Sequence, residues 1–202
     1  MSVAINLPVN TSTDPDILST IRDEGCNLAI WSRGAIVDVD GLTEHLPETT
    51  QFTTPLGQLR RTLEREFHSL PRWMFDVAEN LVSDIEILAS IYCRILTLDA
   101  LEVRLEVVRT DACRKFHADW VSARLITTYD GAGTQWLAPQ DIERLEKGLE
   151  PERIEALQTG DVGIFKGKLA TRTPAIHRSP PISDTGAVRL LLVLNPPSEE
   201  KP

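Results

Sequence analysis

The chain has 202 residues, 42% hydrophobic and 25% charged, which suffices for one domain with a sizeable core and is too short for two ordinary ones. Its formal net charge of −9 carries no dense Lys/Arg stripe, which argues against a nucleic-acid backbone as partner. No run approaches the ~20 apolar residues of a bilayer span, and the N-terminus lacks a basic-then-apolar leader, so the expectation is a cytoplasmic protein with no membrane partner. Cys26, Cys93 and Cys113 are too scattered for a disulfide framework and read as reduced thiols.

Residues 1–16 hold Pro8, Thr11, Ser12, Thr13, Asp14 and Pro15 with little periodicity, and are expected to be loosely ordered. Residues 17–202 read as a single domain. Asn27 to Trp31 predicts a short buried strand, and Asp40 to Glu48 a turn-rich connection. From Thr54 the pattern turns helical: Leu56, Leu59, Leu63 and Phe67 recur at three- and four-residue steps until Pro71. A longer helix follows, with Val77, Leu81, Ile85, Leu88, Tyr92 and Ile95 on one stripe and an end near Asp99. Residues 17–100 are therefore expected to be mainly helical support.

After Asp99 the period drops to two. Leu101, Val103, Leu105 and Val107 alternate with Glu102, Arg104 and Glu106, as a half-buried antiparallel strand requires. Further strands are predicted over 124–129, 161–165, 174–177 and 188–194. Short helical signals lie at Asp141 to Lys147, stopped by Gly148, and in a segment opened by Pro151 and stopped by Gly160. Helices first and short strands afterwards predict an α+β chain, its N-terminal helices packed outside a β-sandwich or barrel over 101–195.

Two of the four histidines stand in unusual company: His117 in Phe116-His117-Ala118-Asp119, and His177 before Arg178-Ser179-Pro180-Pro181. In extended chain, side chains two apart share a face, so His117 and Asp119 can approach one ion together, with a third ligand from elsewhere. Two imidazoles and a carboxylate make a facial triad that leaves positions open for other ligands. Cys113, four residues before His117, has two readings: a small neighbouring residue, or a thiolate whose entry into the ligand set would favour zinc.

Around these residues run Arg124 to Tyr129, then Asp130-Gly131-Ala132-Gly133-Thr134-Gln135-Trp136, Gly160-Asp161-Val162-Gly163-Ile164-Phe165, His177, and Arg189 in the strand from Val188. That order, over residues 113–195, resembles the prolyl-hydroxylase-type iron/2-oxoglutarate oxygenases. Cys113-x-x-Phe116-His117-x-Asp119, the Thr-Tyr-x-Gly-x-Gly-Thr-x-Trp run and His177-Arg178-Ser179-Pro180-Pro181 also resemble the bacterial domain-of-unknown-function family 1826, often encoded beside zinc-homeostasis GTPases.

The oxygenase resemblance implies a double-stranded β-helix (cupin-like jelly roll), with His117, Asp119 and His177 as ligands of Fe(II). It implies Arg189 as the basic partner of 2-oxoglutarate, aided by Arg124 or Tyr129, and the segment from Asp141 to Gln158 over the mouth. The expected activity is a mononuclear Fe(II)/2-oxoglutarate-dependent hydroxylase or demethylase acting on a small-molecule or protein substrate. The alternative is a non-catalytic barrel that holds zinc, or receives it from a zinc-homeostasis GTPase. Arg189 separates them: a buried arginine facing the metal serves a 2-oxo acid and has no purpose in a plain zinc site.

Overall fold

In the computed structural model, residues 9–197 are described. The first part of the segment expected to be loose, residues 1–8, lies outside them. Residues 9–16 are tied down: β1 (Val9–Ser12) pairs in parallel with β2 (Leu28–Trp31), and Asp14 accepts from the amide of Asp16 to cap a 3-10 turn over Pro15–Arg22.

β3 (Thr49–Pro55) leads into α1 (Leu59–Glu66) and then α2 (Phe75–Leu96). In α2 the stripe of Leu81, Ile85, Leu88 and Tyr92 is wholly buried, as its helical spacing predicts. Thr97 ends the helix in the left-handed region at φ 57°, while the amide of Leu98 reaches back to the Cys93 carbonyl. The chain continues through β4 (Ala100–Val108), β5 (Ala123–Asp130), β6 (Gln135–Trp136), α3 (Pro139–Glu146), β7 (Glu155–Ala156), β8 (Val162–Lys166), β9 (His177–Arg178) and β10 (Arg189–Asn195).

Seven strands form one sheet in the order β1-β2-β8-β5-β10-β4-β3, antiparallel except for the β1–β2 edge. A smaller sheet has the order β7-β6-β9, and an isolated bridge between His117 and His177 extends it. The result is a mixed α/β molecule with a large, mostly antiparallel sheet and few helices. The expected helix after Pro151 is absent, because Glu155 and Ala156 pair with β6. Residues 17–100 also contribute more than support: β2 and β3 join the large sheet near opposite edges.

Alternation decides which residues face which side. On β4, Leu101, Val103, Leu105 and Val107 join Leu190, Leu192 and Leu194 of β10 in the core shared with α1 and α2. On the other face, Ile126, Leu191, Val193 and Phe165 pack with Leu157, Ala175 and Trp136 from the small-sheet side. The helices thus cover one face of the large sheet and the small sheet covers part of the other.

Candidate metal centre

His117, Asp119 and His177 converge: one ligand atom from each lies within 4.8 Å of the others. The backbones of the two histidines exchange a pair of 2.9 Å hydrogen bonds, which fixes them as cross-strand neighbours. His117 Nδ1 lies 2.9 Å from the Lys115 carbonyl and His177 Nδ1 lies 3.3 Å from the Ala175 carbonyl. A carbonyl only accepts, so each Nδ1 carries the proton and each Nε2 is left with its lone pair. Both Nε2 atoms turn toward Asp119, at 3.7 Å from Oδ1 for His117 and 3.2 Å from Oδ2 for His177.

The carboxylate is held from its other side. Arg124 of β5 donates through Nη1 to Asp119 Oδ1 at 2.7 Å and through Nε to Asn195 Oδ1 at 2.7 Å. Asp119 Oδ2 is buried and makes no hydrogen bond, since its 3.2 Å contact with His177 lacks hydrogen-bond geometry. Burial raises the Asp119 pKa, but His177, Arg124 and His117 together outweigh it and hold the carboxyl below its ordinary value. An orphaned carboxylate oxygen clustered within 4.8 Å of two imidazole nitrogens is a donor set suited to one divalent ion. His177 also packs on Phe165, with ring centroids 4.8 Å apart, so one wall of the cluster is dry.

Arg189 is wholly buried, at 0% exposure. It shares the inner face of β10 with Leu191 and Val193, as the two-residue period expects. Its Nε donates to the Ala132 carbonyl at 2.6 Å, Nη1 to Ser179 Oγ at 3.1 Å and Nη2 to Thr128 Oγ1 at 3.4 Å. Among the described residues no carboxylate pairs with it, and burial pushes its pKa down to about 10, with Glu106 opposing only in part. The Gly131-Ala132-Gly133 turn delivers the Ala132 carbonyl. Gly131 has φ 79°, and a Cβ there would meet the Val188 carbonyl at 2.3 Å, so the turn requires glycine.

A cavity of about 250 Å³ adjoins the cluster, lined by His117, His177, Ser179, Ile126, Leu191 and Arg124 among others. Cys113 lines it too, exposed and outside the three-residue ligand set, with its backbone at φ 58° and its carbonyl accepting from the Ser179 amide.

The structure therefore brings His117, Asp119, His177 and Arg124 together and puts Arg189 on the same side of the large sheet. It does not bring Tyr129. Five positions along β5 from Arg124, Tyr129 faces the helices, where its hydroxyl donates to Asp84 Oδ2 at 2.7 Å. Nor do residues 141–158 line the cavity; Pro139 and Ile142 of the α3 region border a separate small cleft beside Trp136. Sequence reasoning missed Arg104, which also lines the cavity, because its alternation with buried Val103 and Leu105 resembles a solvated face. It also missed Asn195, Ser179 and the placement of Arg178, whose guanidinium stacks 4.3 Å over the Phe116 ring.

Fold and side chains together define a mainly antiparallel β protein with a two-histidine, one-aspartate cluster suited to a single divalent ion. The chain belongs to the family of proteins of unknown function DUF1826, whose model matches residues 12–195. No curated protein matches the chain in sequence. Solved structures with a loose overlap include a rice dioxygenase for auxin oxidation, at 12% identity and TM-score 0.44, covering 76% of this chain and 58% of that one. A full-length Neurospora crassa protein in complex with alpha-KG overlaps at 14% identity and TM-score 0.37, covering 76% of this chain and 59% of its own. A Pseudomonas putida prolyl-4-hydroxylase overlaps at 13% identity and TM-score 0.37, with 78% of this chain and 95% of that one covered. The chain thus spans less than two thirds of the length of the rice and Neurospora proteins.

Proposed function

We propose that this protein is a mononuclear Fe(II)/2-oxoglutarate-dependent oxygenase, a hydroxylase or demethylase, and that its two facing sheets are a reduced double-stranded β-helix. The observation that carries this reading is Arg189: a fully buried guanidinium, without a carboxylate partner among the described residues, on the same side of the large sheet as a two-histidine, one-aspartate cluster. Burying an uncompensated charge is costly, and an anionic ligand that completes its surroundings removes the penalty. A zinc-storage site gives that arginine nothing to do.

His117 and His177 would hold the ion through Nε2 and Asp119 through Oδ2, with Arg124 keeping the carboxylate oriented from Oδ1. When bound, iron with a 2-oxo acid supplies dioxygen-dependent oxidation of an unactivated C–H bond. The chain's own contribution is placement. Arg189 would meet the far carboxylate of the cosubstrate, with the hydroxyls of Ser179 and Thr128 fixing the guanidinium plane and Phe165, Leu191 and Val193 keeping the enclosure apolar.

Anaerobic titration tests this directly. Fe(II)-loaded protein should develop the visible charge-transfer band of a 2-oxo-acid chelate on addition of 2-oxoglutarate. Arg189→Ala should retain metal yet need ~10–100-fold more cosubstrate, as expected for losing a charged hydrogen bond worth roughly 1.5–3 kcal/mol. Absence of the band at millimolar 2-oxoglutarate, with iron bound, rejects the assignment.

A further inference from the structure

The face of the large sheet beyond the metal cluster is more cationic than the chain as a whole. The net charge is −9, yet the cavity is lined by four arginines (Arg104, Arg109, Arg124 and Arg178) and two glutamates, Glu48 and Glu106. Strand register explains how two of the arginines meet. Val193 of β10 lies opposite Arg104 of β4 on one side and Ile126 of β5 on the other. Two residues along, Asn195 lies opposite Glu102 and accepts from Arg124. Arg104 and Arg124 therefore flank the same stretch of β10 from its two neighbouring strands, both on the cavity side.

Each guanidinium faces one carboxylate, Arg104 that of Glu106 and Arg124 that of Asp119. Arg104 Nε is nevertheless buried without a hydrogen bond, 3.5 Å from Glu106 Oε1. Arg124 donates through Nε to Asn195 and through Nη1 to Asp119 while lining the cavity. Two guanidiniums across one strand, one with an unspent buried donor and both lining the cavity, present an anion with charge-assisted donors from two sides. Arg189 lies apart from this pair, at the other end of β10 and outside the cavity lining.

We propose that the substrate is a small anionic molecule, a carboxylate or a phosphate ester, whose charged group docks between Arg104 and Arg124 beside the metal cluster. This rests on the oxygenase reading for the word substrate, but the anion site itself does not. The cavity of about 250 Å³ sits just below the usual ~300–1,000 Å³ of ligand pockets, which fits a compact molecule. Arg124 bonds Asp119, so an anion held there places the neighbouring carbon close to the ion, and specificity and positioning come from the same pair.

The experiment uses metal-free full-length protein and two probes, inorganic phosphate and acetate, followed through arginine Nε–H NMR signals, with Arg104→Gln providing the assignment. Saturable movement of the Arg104 and Arg124 signals is expected, and at least tenfold weaker movement of Arg124 in Arg104→Gln. Response to phosphate alone points to a phosphate ester, to acetate alone a carboxylate, and either supports the site. No saturable movement with either probe overturns it. Should Arg104→Gln be poorly folded, Arg104→Lys and the wild-type titration still decide the matter. A second arm measures 2-oxoglutarate binding to Fe(II)-loaded Arg104→Gln. Unchanged affinity is expected, whereas a loss as large as that of Arg189→Ala assigns Arg104 to the cosubstrate and overturns the proposal. Failure to bind iron would defeat the oxygenase reading while leaving the NMR titration standing.

Discussion

Arg124 grips one oxygen of Asp119 at 2.7 Å and leaves the other, buried and without a hydrogen bond, 3.2 Å from His177 Nε2. The arginine fixes the rotamer that a ligand carboxylate needs and prevents it from swinging toward the solvent. Arg124→Gln is expected to lower metal affinity by about 10–100-fold with little change in fold, the usual effect of removing an outer partner. Competition against a calibrated chelator measures it. Unchanged affinity would show that His117 and His177 alone orient the site.

Cys113 carries the zinc alternative. It lies outside the ligand set and is solvent-exposed, so Cys113→Ser should leave metal content within experimental error of wild type. Elemental analysis after loading and desalting checks this. Loss of the ion in that variant would put a thiolate in the site and favour zinc.

On the opposite face of the sheet, Arg33 donates twice to Asp84 at 2.6 and 2.8 Å while Tyr129 adds a third bond to the same carboxylate. Both charged side chains are nearly inaccessible, at 4% and 6%. Asp84→Ala strands a buried guanidinium and should destabilise by roughly 3–5 kcal/mol. Tyr129→Phe, which removes one hydrogen bond to a charge, should cost about 1.5–3 kcal/mol and leave 2-oxoglutarate binding unchanged. Urea unfolding gives the first two numbers. A tyrosine variant defective in cosubstrate binding would return Tyr129 to the site.

Asp111 pins the loop after His177 by accepting from the amides of Ile182 at 2.7 Å and Ser183 at 2.9 Å. The Ser183 and Ile182 amides, in that order, hold its pKa below the ordinary carboxylate value. A carboxyl depressed in the folded state contributes stability at pH above its unfolded value of about 3.9, and that contribution disappears as pH falls through the folded value. The melting temperature of wild type should therefore drop more steeply below about pH 4 than that of Asp111→Asn. Parallel curves would show that these bonds do not survive in solution.

Strong local periodicity made part of the fold legible. Strict alternation on β4 and the long apolar stripe of α2 each repeat over several turns or pleats, so the sequence alone locates them. β3 hides because its Thr-rich stretch presents few apolar residues, and two-residue strands such as β6, β7 and β9 are too short to show a period. The helix expected after Pro151 failed because a proline opening and a glycine stop punctuate turns as readily as helices. The separation of Arg124 from Tyr129 needed only parity along one strand, since an odd step between them places them on opposite faces. Arg104 was different: which side of a half-buried strand faces water and which faces a cavity depends on a second sheet distant in sequence.

The backbone bridge between His117 and His177 also bears on the order of assembly. Its two hydrogen bonds join segments distant in the chain, with β5, β6, β7 and β8 lying between them in sequence. Such long-range closure comes late, because its loop entropy must first be met by the intervening contacts. An ion held by these residues would therefore meet a chain already folded, unlike a zinc finger, which has no structure before its ion arrives. It would fasten two distant segments, and the apoprotein should keep its sheets while these segments exchange their amide protons faster.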